Sequence, residues 1–196
     1  MFDIIAAGEI LIDLVDTGNL QFSGTVGGAP CNALAQAAKL GSRTAFIGMV
    51  GDDAFGRVCA SQLDKLGIDR THLAMTSRAD TTLAFVTLAE NGDRDFTFYR
   101  RPGADTLLTV KNMPFSQIAQ SRVYLFGGVA LSRDPTRAAV FYSLFKLAGT
   151  PVLRAFDPNL RPCLWEDMEE AKALGRKAMG LCDICLLYTS PSPRDR

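Results

Sequence analysis

Short apolar runs, most of them closed by glycine or proline, recur along this chain at intervals that leave room for helices. Residues 3–8, DIIAAG, form the first, and residues 10–16 form a second whose alternation is less clean. RTAFIGMVG (43–51), RVYLFGG (122–128), PVLRAFDPN (151–159) and LCDICLL (181–187) follow. Apolar runs of about four to eight residues ended by turn residues read as strands buried on both faces. Between them lie stretches with helical punctuation. PCNALAQAAKLG has Pro30 at a first-turn position and Gly41 just past its end. DDAFGRVCASQLDKLG offers Asp52 or Asp53 as cap and Gly67 as stop. DPTRAAVFYSLFKLAG (134–149) and EDMEEAKALGRKAMG (166–180) are the later helices. Strands alternating with helices predict an α/β fold: a doubly wound, mostly parallel sheet covered by helices.

One stretch breaks the rhythm. TTLAFVTLAENGDRDFTFYR holds two β-rich runs around Asn91-Gly92, a hairpin turn pair. Thr82, Ala84, Val86 and Leu88 alternate with Leu83, Phe85, Thr87 and Ala89, so both faces of the first run are rather apolar. A hairpin of that kind must cover something or pair with a partner, and it reads as a small β-lid standing off the main sheet.

Composition narrows the function classes. The chain has 196 residues, 47% hydrophobic, enough for one globular domain or one with part of another. Lysine plus arginine and aspartate plus glutamate are balanced at 21 each, which gives no field to attract nucleic acid. No apolar run approaches the roughly 18 residues of a membrane span. The N-terminus lacks the basic segment of a secretory signal, so the expected compartment is the cytoplasm. The five cysteines, Cys31, Cys59, Cys163, Cys182 and Cys185, are odd in number and scattered, which argues against a disulfide framework. Zinc at Cys182-x-x-Cys185 would need two more ligands, and the only histidine, His72, is distant in sequence. No metal-ligating set is expected, and these thiols read as buried apolar groups.

In a doubly wound sheet, ligands bind beyond the carboxyl ends of the strands. Three groups of residues fall there. Asp13 is a carboxylate within the apolar EILIDLV, able to accept from two neighbouring hydroxyls or to sit solvated on an edge strand. Gly27-Gly28 precedes a helix whose free N–H groups, with the Asn32 amide, suit hydroxyls or an anion; a plain turn before a helix is the alternative. FDPNLR sets Asp157, Asn159 and Arg161 in one loop, where an arginine fork suits phosphate oxygens or a surface acid. Neither GxxxxGK[ST] nor GxGxxG occurs.

Taken in order, these stretches resemble the ribokinase-like (PfkB) sugar kinases. GGAPCNALAQAAKLGSRTAFIGMVGDDAFG is similar to that family's N-terminal motif, GEILIDLV to its opening strand, TTLAFVTLAENGDRDFTFYRRPGADTLL to its lid and FDPNLRPCLW to its central loop. The likeness covers about residues 2–187 and is strongest to bacterial fructokinases. It implies a truncated ribokinase-like domain over 1–187, with lid elements at about 12–25 and 80–102. It implies transfer of the γ-phosphoryl of ATP, with Mg2+, to a sugar hydroxyl. Asp13, Gly27, Gly28 and Asn32 would hold the sugar, and Phe98 and Arg100 would close over it. Asn159 and Arg161 would approach the ATP phosphates, with Arg161 also steadying the phosphoryl group in flight. The partners implied are a small-molecule sugar and a second copy through the lid, with no nucleic acid or membrane.

The family's base is an aspartate in a late G-A-G-D loop, and no such loop is found; Gly103 to Asp105 of RPGADTLL reads as part of the lid region. The likeness stops inside LCDICLL. Residues 188–196, with two prolines and three charges in the last six positions, cannot continue a central strand and read as a non-native or disordered tail. The C-terminal part of the fold is thus expected to be missing and the chain as written to be inactive. A 2-keto-3-deoxygluconate kinase, a nucleoside kinase of the same fold, and a non-catalytic sugar-binding module remain open as alternatives.

Overall fold

A computed structural model describes residues 1–88 and 94–187 of the protein. In chain order it contains β1 (Ile4–Ala7), β2 (Leu11–Gly18), β3 (Gln21–Gly27), α1 (Ala29–Lys39), β4 (Thr44–Gly51), α2 (Ala54–Lys65) and β5 (Asp69–Thr76). These are followed by β6 (Leu83–Leu88), β7 (Arg94–Tyr99), α3 (Phe115–Ala119), β8 (Val123–Gly127), α4 (Thr136–Lys146), β9 (Leu153–Asp157), α5 (Met168–Met179) and β10 (Ile184–Cys185). The Asn91-Gly92 turn and the tail 188–196 lie outside the described residues.

The strands make two sheets. The main sheet has the order β10-β9-β8-β1-β4-β5, and all its pairs are parallel. Its middle is apolar on both faces because helices cover both. Ile5, Ala7, Ala45 and Ile47 face a core with Tyr124, Phe126, Phe156 and the α4 residues Ala139, Val140 and Leu144. Ala6, Phe46 and Val50 point the other way, onto Cys31 and Leu34 of α1 and Cys59 and Leu63 of α2. Alternate residues of one strand thus feed two cores, which is why β4 is buried at every position. Phe126 stacks between Tyr124 and Phe156, with ring centroids 6.0 and 4.8 Å away. From β1 the chain adds β4 and β5 on one side, then β8, β9 and β10 on the other. The direction reverses between β1 and β8, and the crevice outside that reversal is where such sheets hold ligands.

The second sheet, order β3-β2-β6-β7, stands off the first. β2 pairs antiparallel with β3 and parallel with β6, and β6 pairs antiparallel with β7.

Two local features differ from the sequence reading, and a third, the α2 cap offered as Asp52 or Asp53, is settled between its alternatives. β5 was not expected: Arg70, Thr71 and His72 make it polar, and it survives as an edge strand against β4 alone. The cap of α2 is Asp53. Its carboxylate accepts from the Gly56 N–H at 2.7 Å and, across the fold, from the Thr81 N–H at 2.7 Å and hydroxyl at 2.9 Å. Those bonds hold its carboxyl below the usual range although partial burial pulls the other way. The thiols are not uniformly buried: Cys31 and Cys59 are, Cys182 and Cys185 are half-buried, and Cys163 is exposed. The short, exposed β10 gives the last two little cover.

Candidate active site

The site is assembled around the loop that follows β3. A Cβ at Gly27 would lie 2.0 Å from Asp13 Oδ2, so any larger residue there would push the Asp13 carboxylate aside. The Asp13 carboxylate therefore lies over the Gly27 backbone, beside the start of α1. Gly28 has φ +114°, and a Cβ there would meet the Glu9 carbonyl oxygen at 2.5 Å. No side chain of the loop caps α1. Its first N–H, that of Ala29, instead donates to Glu9 Oε1 at 3.1 Å. Asn32, in the first turn of α1, is exposed.

Glu9 is a site residue that the sequence reading passed over. Its side chain is 3% exposed, and Oε2 has no hydrogen-bond partner among the described residues. A Cβ at Gly127 would lie 3.9 Å from Oε2, so this oxygen faces the end of β8, at the crevice where the sheet reverses. Burial pushes its pKa up to about 7; Asp105 adds to the rise, while Arg100 and the N–H groups oppose it. The available signal was an acid between Gly8 and Ile10 in an otherwise apolar stretch, just before the strand that carries Asp13.

The lid sheet connects this corner to the rest. Asp13 is in register with Thr25 on β3 and Ala84 on β6, and Ala84 with Phe98 on β7. Residues directly opposite in a sheet share a face. Asp13 and Phe98 therefore stand on one face in a single cross-strand row, with Val15, Val86 and Phe96 in the next row of that face. Phe96 and Phe98 stack with centroids 6.1 Å apart. The Arg161 guanidinium, arriving from the loop after β9, lies over the Phe96 ring at 5.1 Å. Asn159 in that loop adopts φ +34°, which asparagine tolerates better than most residues.

Asp157 ends β9 half-buried, and its Oδ1 is another buried oxygen without a partner among the described residues. Burial raises its pKa, against the Asn159 N–H and the Arg161 charge. Arg100 is 9% exposed. Its guanidinium is bound by the Asp105 carboxylate at 2.7 Å and donates to Ser132 Oγ at 2.9 Å. Both Phe98 and Arg100 also line a cleft of about 620 Å³ between β7 and the 163–166 segment, with Arg101, Arg133 and Trp165. Asp13, Gly27, Gly28 and Asn32 do not line that cleft. The residues singled out in the sequence thus form three groups: one at the start of α1 and one along β7, joined by the Asp13–Ala84–Phe98 row, and one in the loop after β9, whose Arg161 lies over Phe96.

A family model for pfkB family carbohydrate kinases matches residues 1–186. The chain belongs to the pfkB family. Among curated pfkB relatives, Fructokinase-1 of Zea mays is 38% identical over 176 residues, covering 86% of this chain and 54% of that protein. The chain therefore spans about half the length of the curated relatives it matches. Among solved pfkB structures, a fructokinase from Xylella fastidiosa superposes with a TM-score of 0.86 at 29% identity, over 93% of this chain and 61% of that one. A double mutant of the Vibrio cholerae fructokinase, bound to fructose, ADP and potassium ion, gives 0.86 at 31%, over 94% and 59%. The mostly parallel sheet with helices on both faces is thus the pfkB fold. Among the described residues no helix is long and apolar enough to cross a membrane.

Proposed function

We propose that the full-length protein is an ATP-dependent sugar kinase acting on fructose, with this chain supplying the sugar-binding half. The observation that carries the reading is the single lid face holding Asp13 and Phe98 in one row, with Arg161 reaching that face from the β9 loop. Phosphoryl transfer needs positioning, neutralisation of charge and exclusion of water more than covalent help. Asp13 accepts hydrogen bonds from sugar hydroxyls. The Gly27-Gly28 backbone and Asn32 bound the sugar on the other side, and Phe98 covers it and keeps water out. Asn159 and Arg161 face the phosphates, where a guanidinium fork matches the oxygens of the moving group. Mg2+ would arrive with the nucleotide and neutralise its phosphates; among the described residues no group of three or more His, Cys, Asp and Glu gathers to hold a metal.

The family's G-A-G-D loop, which would carry the base, does not occur in this chain. Asp105 has both oxygens engaged by Thr82 and Arg100. We therefore expect the base to come from sequence outside this chain.

A second reading, 2-keto-3-deoxygluconate kinase, is favoured by one observation: Arg101 and Arg133 line the cleft beside Phe98, where an acid sugar's carboxylate would find them. A coupled ADP-release assay of the full-length protein on fructose, ribose, adenosine and 2-keto-3-deoxygluconate separates the readings. Fructose is expected to be preferred, and preference for any other sinks the fructose assignment. Residues 1–196 alone should release no ADP above background; turnover would make Asp157 or Asp105 the base.

The opposite face of the lid sheet supports a homodimer. Phe85 packs edge-on to Phe22 at 5.2 Å and against Tyr99 at 5.1 Å, yet Phe22 is 42% and Tyr99 65% exposed. An aromatic cluster that leaves its rings in water is the kind of surface a second copy covers. Sedimentation should show a dimer that Phe85→Glu converts to monomer; a strictly monomeric parent would contradict the assignment.

A further inference from the structure

The lid hairpin is held at both roots by one buried carboxylate. Thr82 immediately precedes β6 and Arg100 immediately follows β7. Asp105, 3% exposed, accepts from Thr82 Oγ1 at 2.5 Å through Oδ1 and from Arg100 Nε at 2.8 Å through Oδ2. The Asp105 backbone is itself fixed to the main domain. Its carbonyl accepts from Thr136 Oγ1 at 2.7 Å, at the start of α4, and Thr136 Oγ1 accepts from the Leu108 N–H at 3.0 Å. Arg100 adds a second tie. Its donation to Ser132 at 2.9 Å reaches a hydroxyl that bonds the Val129 carbonyl at 2.7 Å, in the segment after β8 at the sheet's carboxyl edge. Gly103 leaves room for the junction, since a Cβ there would lie 2.0 Å from Thr82 Oγ1 and 2.7 Å from Asp105 Oδ1.

We propose that Asp105 is a positioning residue of the sugar site: by gripping Thr82 and Arg100 together it fixes the β6–β7 hairpin on the main domain and so sets where Phe98 stands relative to Asp13. The role rests on the sugar-kinase reading above; the clamp itself rests on the geometry alone. A charge pair suits this task because both partners are removed from water and each is left uncompensated if the other moves, so the hairpin root has one strongly preferred arrangement. It also accounts for an arginine inside the fold at the foot of a lid.

The test has two arms on the full-length protein, using Asp105→Asn and the milder Thr82→Val, which removes one hydroxyl and leaves the ion pair. Amide hydrogen exchange reads the clamp without reference to activity. In both variants, exchange should accelerate in residues 83–88 and 94–99 and stay unchanged in β1, β4 and β8. Unchanged lid exchange, or equal acceleration throughout the main sheet, overturns the clamp. Steady-state kinetics read the role. Sugar KM should rise about 10- to 100-fold in Asp105→Asn, as expected when a contact residue is misplaced by about an ångström. It should rise less in Thr82→Val, with the ATP KM within about twofold in both. A loosened lid with an unchanged sugar KM overturns the positioning role. A wild type that phosphorylates no sugar would sink the kinase reading and with it that role, leaving hydrogen exchange to decide the clamp.

Discussion

Replacing Asp13 with alanine in the full-length protein is expected to raise the sugar KM roughly 30- to 150-fold while leaving the ATP KM nearly unchanged. Loss of a charge-assisted pair of hydrogen bonds costs about 2–3 kcal/mol, which gives that range. The selectivity follows from placement. Asp13 lies on the lid row with Phe98 and over the Gly27 backbone, while the Asn159–Arg161 loop enters from β9. Asp13→Asn should fall between wild type and alanine, because the amide keeps one acceptor and loses the charge. Calorimetric titration with sugar and, separately, with nucleotide checks the split. An unchanged sugar KM would reduce Asp13 to a support for the turn at Gly27.

Glu9→Gln is expected to flatten the dependence of stability on pH. The pKa of Glu9 rises from 4.5 to about 7 on folding, because burial disfavours its charge. Below about pH 4.5 the carboxyl is protonated folded and unfolded, and it imposes no penalty. Between about 4.5 and 7 the unfolded chain gives up the proton and the folded one keeps it, so stability falls as pH rises. Above about 7 both forms are ionised and the full penalty, about 3 kcal/mol, is present. Urea unfolding of wild type and variant at about pH 5 and pH 8 should show the variant gaining about 2–3 kcal/mol relative to wild type over that interval. Asp157, also raised by burial, is common to both proteins and drops out of the difference. Parallel curves would mean that Glu9 ionises as freely inside the fold as outside it.

The strands and helices that were legible in the sequence are those whose signal is local. β4 reads as apolar at nearly every position because two cores claim it, and α2 announces itself through an acid at its start and a glycine after its end. The features that escaped depend on partners distant in sequence. β5 is polar because only one of its edges is paired and much of it faces water. Glu9 caps a helix twenty residues on, and no periodicity reports that. The family resemblance set Arg100 over the sugar beside Phe98, yet its guanidinium is committed to Asp105. Asp105 looked like an ordinary residue of the lid region, since an ion pair five residues apart across a bend has no helical or strand spacing to betray it. Asp13, Gly27 and Gly28 could be found because a carboxylate and a glycine pair are conspicuous. Their mutual contact, in which Gly27 makes room for Asp13, was not visible.

The central position of β1 shapes how the chain is made. Ile4 pairs with Thr44 on one side and with Val123 on the other, so the innermost strand gains its second neighbour only after β5 and the whole lid have been synthesised. On the ribosome, β1 and β4 can join early, but the far edge of β1 stays open while more than a third of the described chain emerges. An apolar parallel edge left open that long invites pairing between nascent chains, and such long-range closure is slow. Translation that slows after β8 has left the exit tunnel gives the edge time to close. Rapid overexpression instead accumulates chains caught before closure, and the aggregates they seed should be joined through β1.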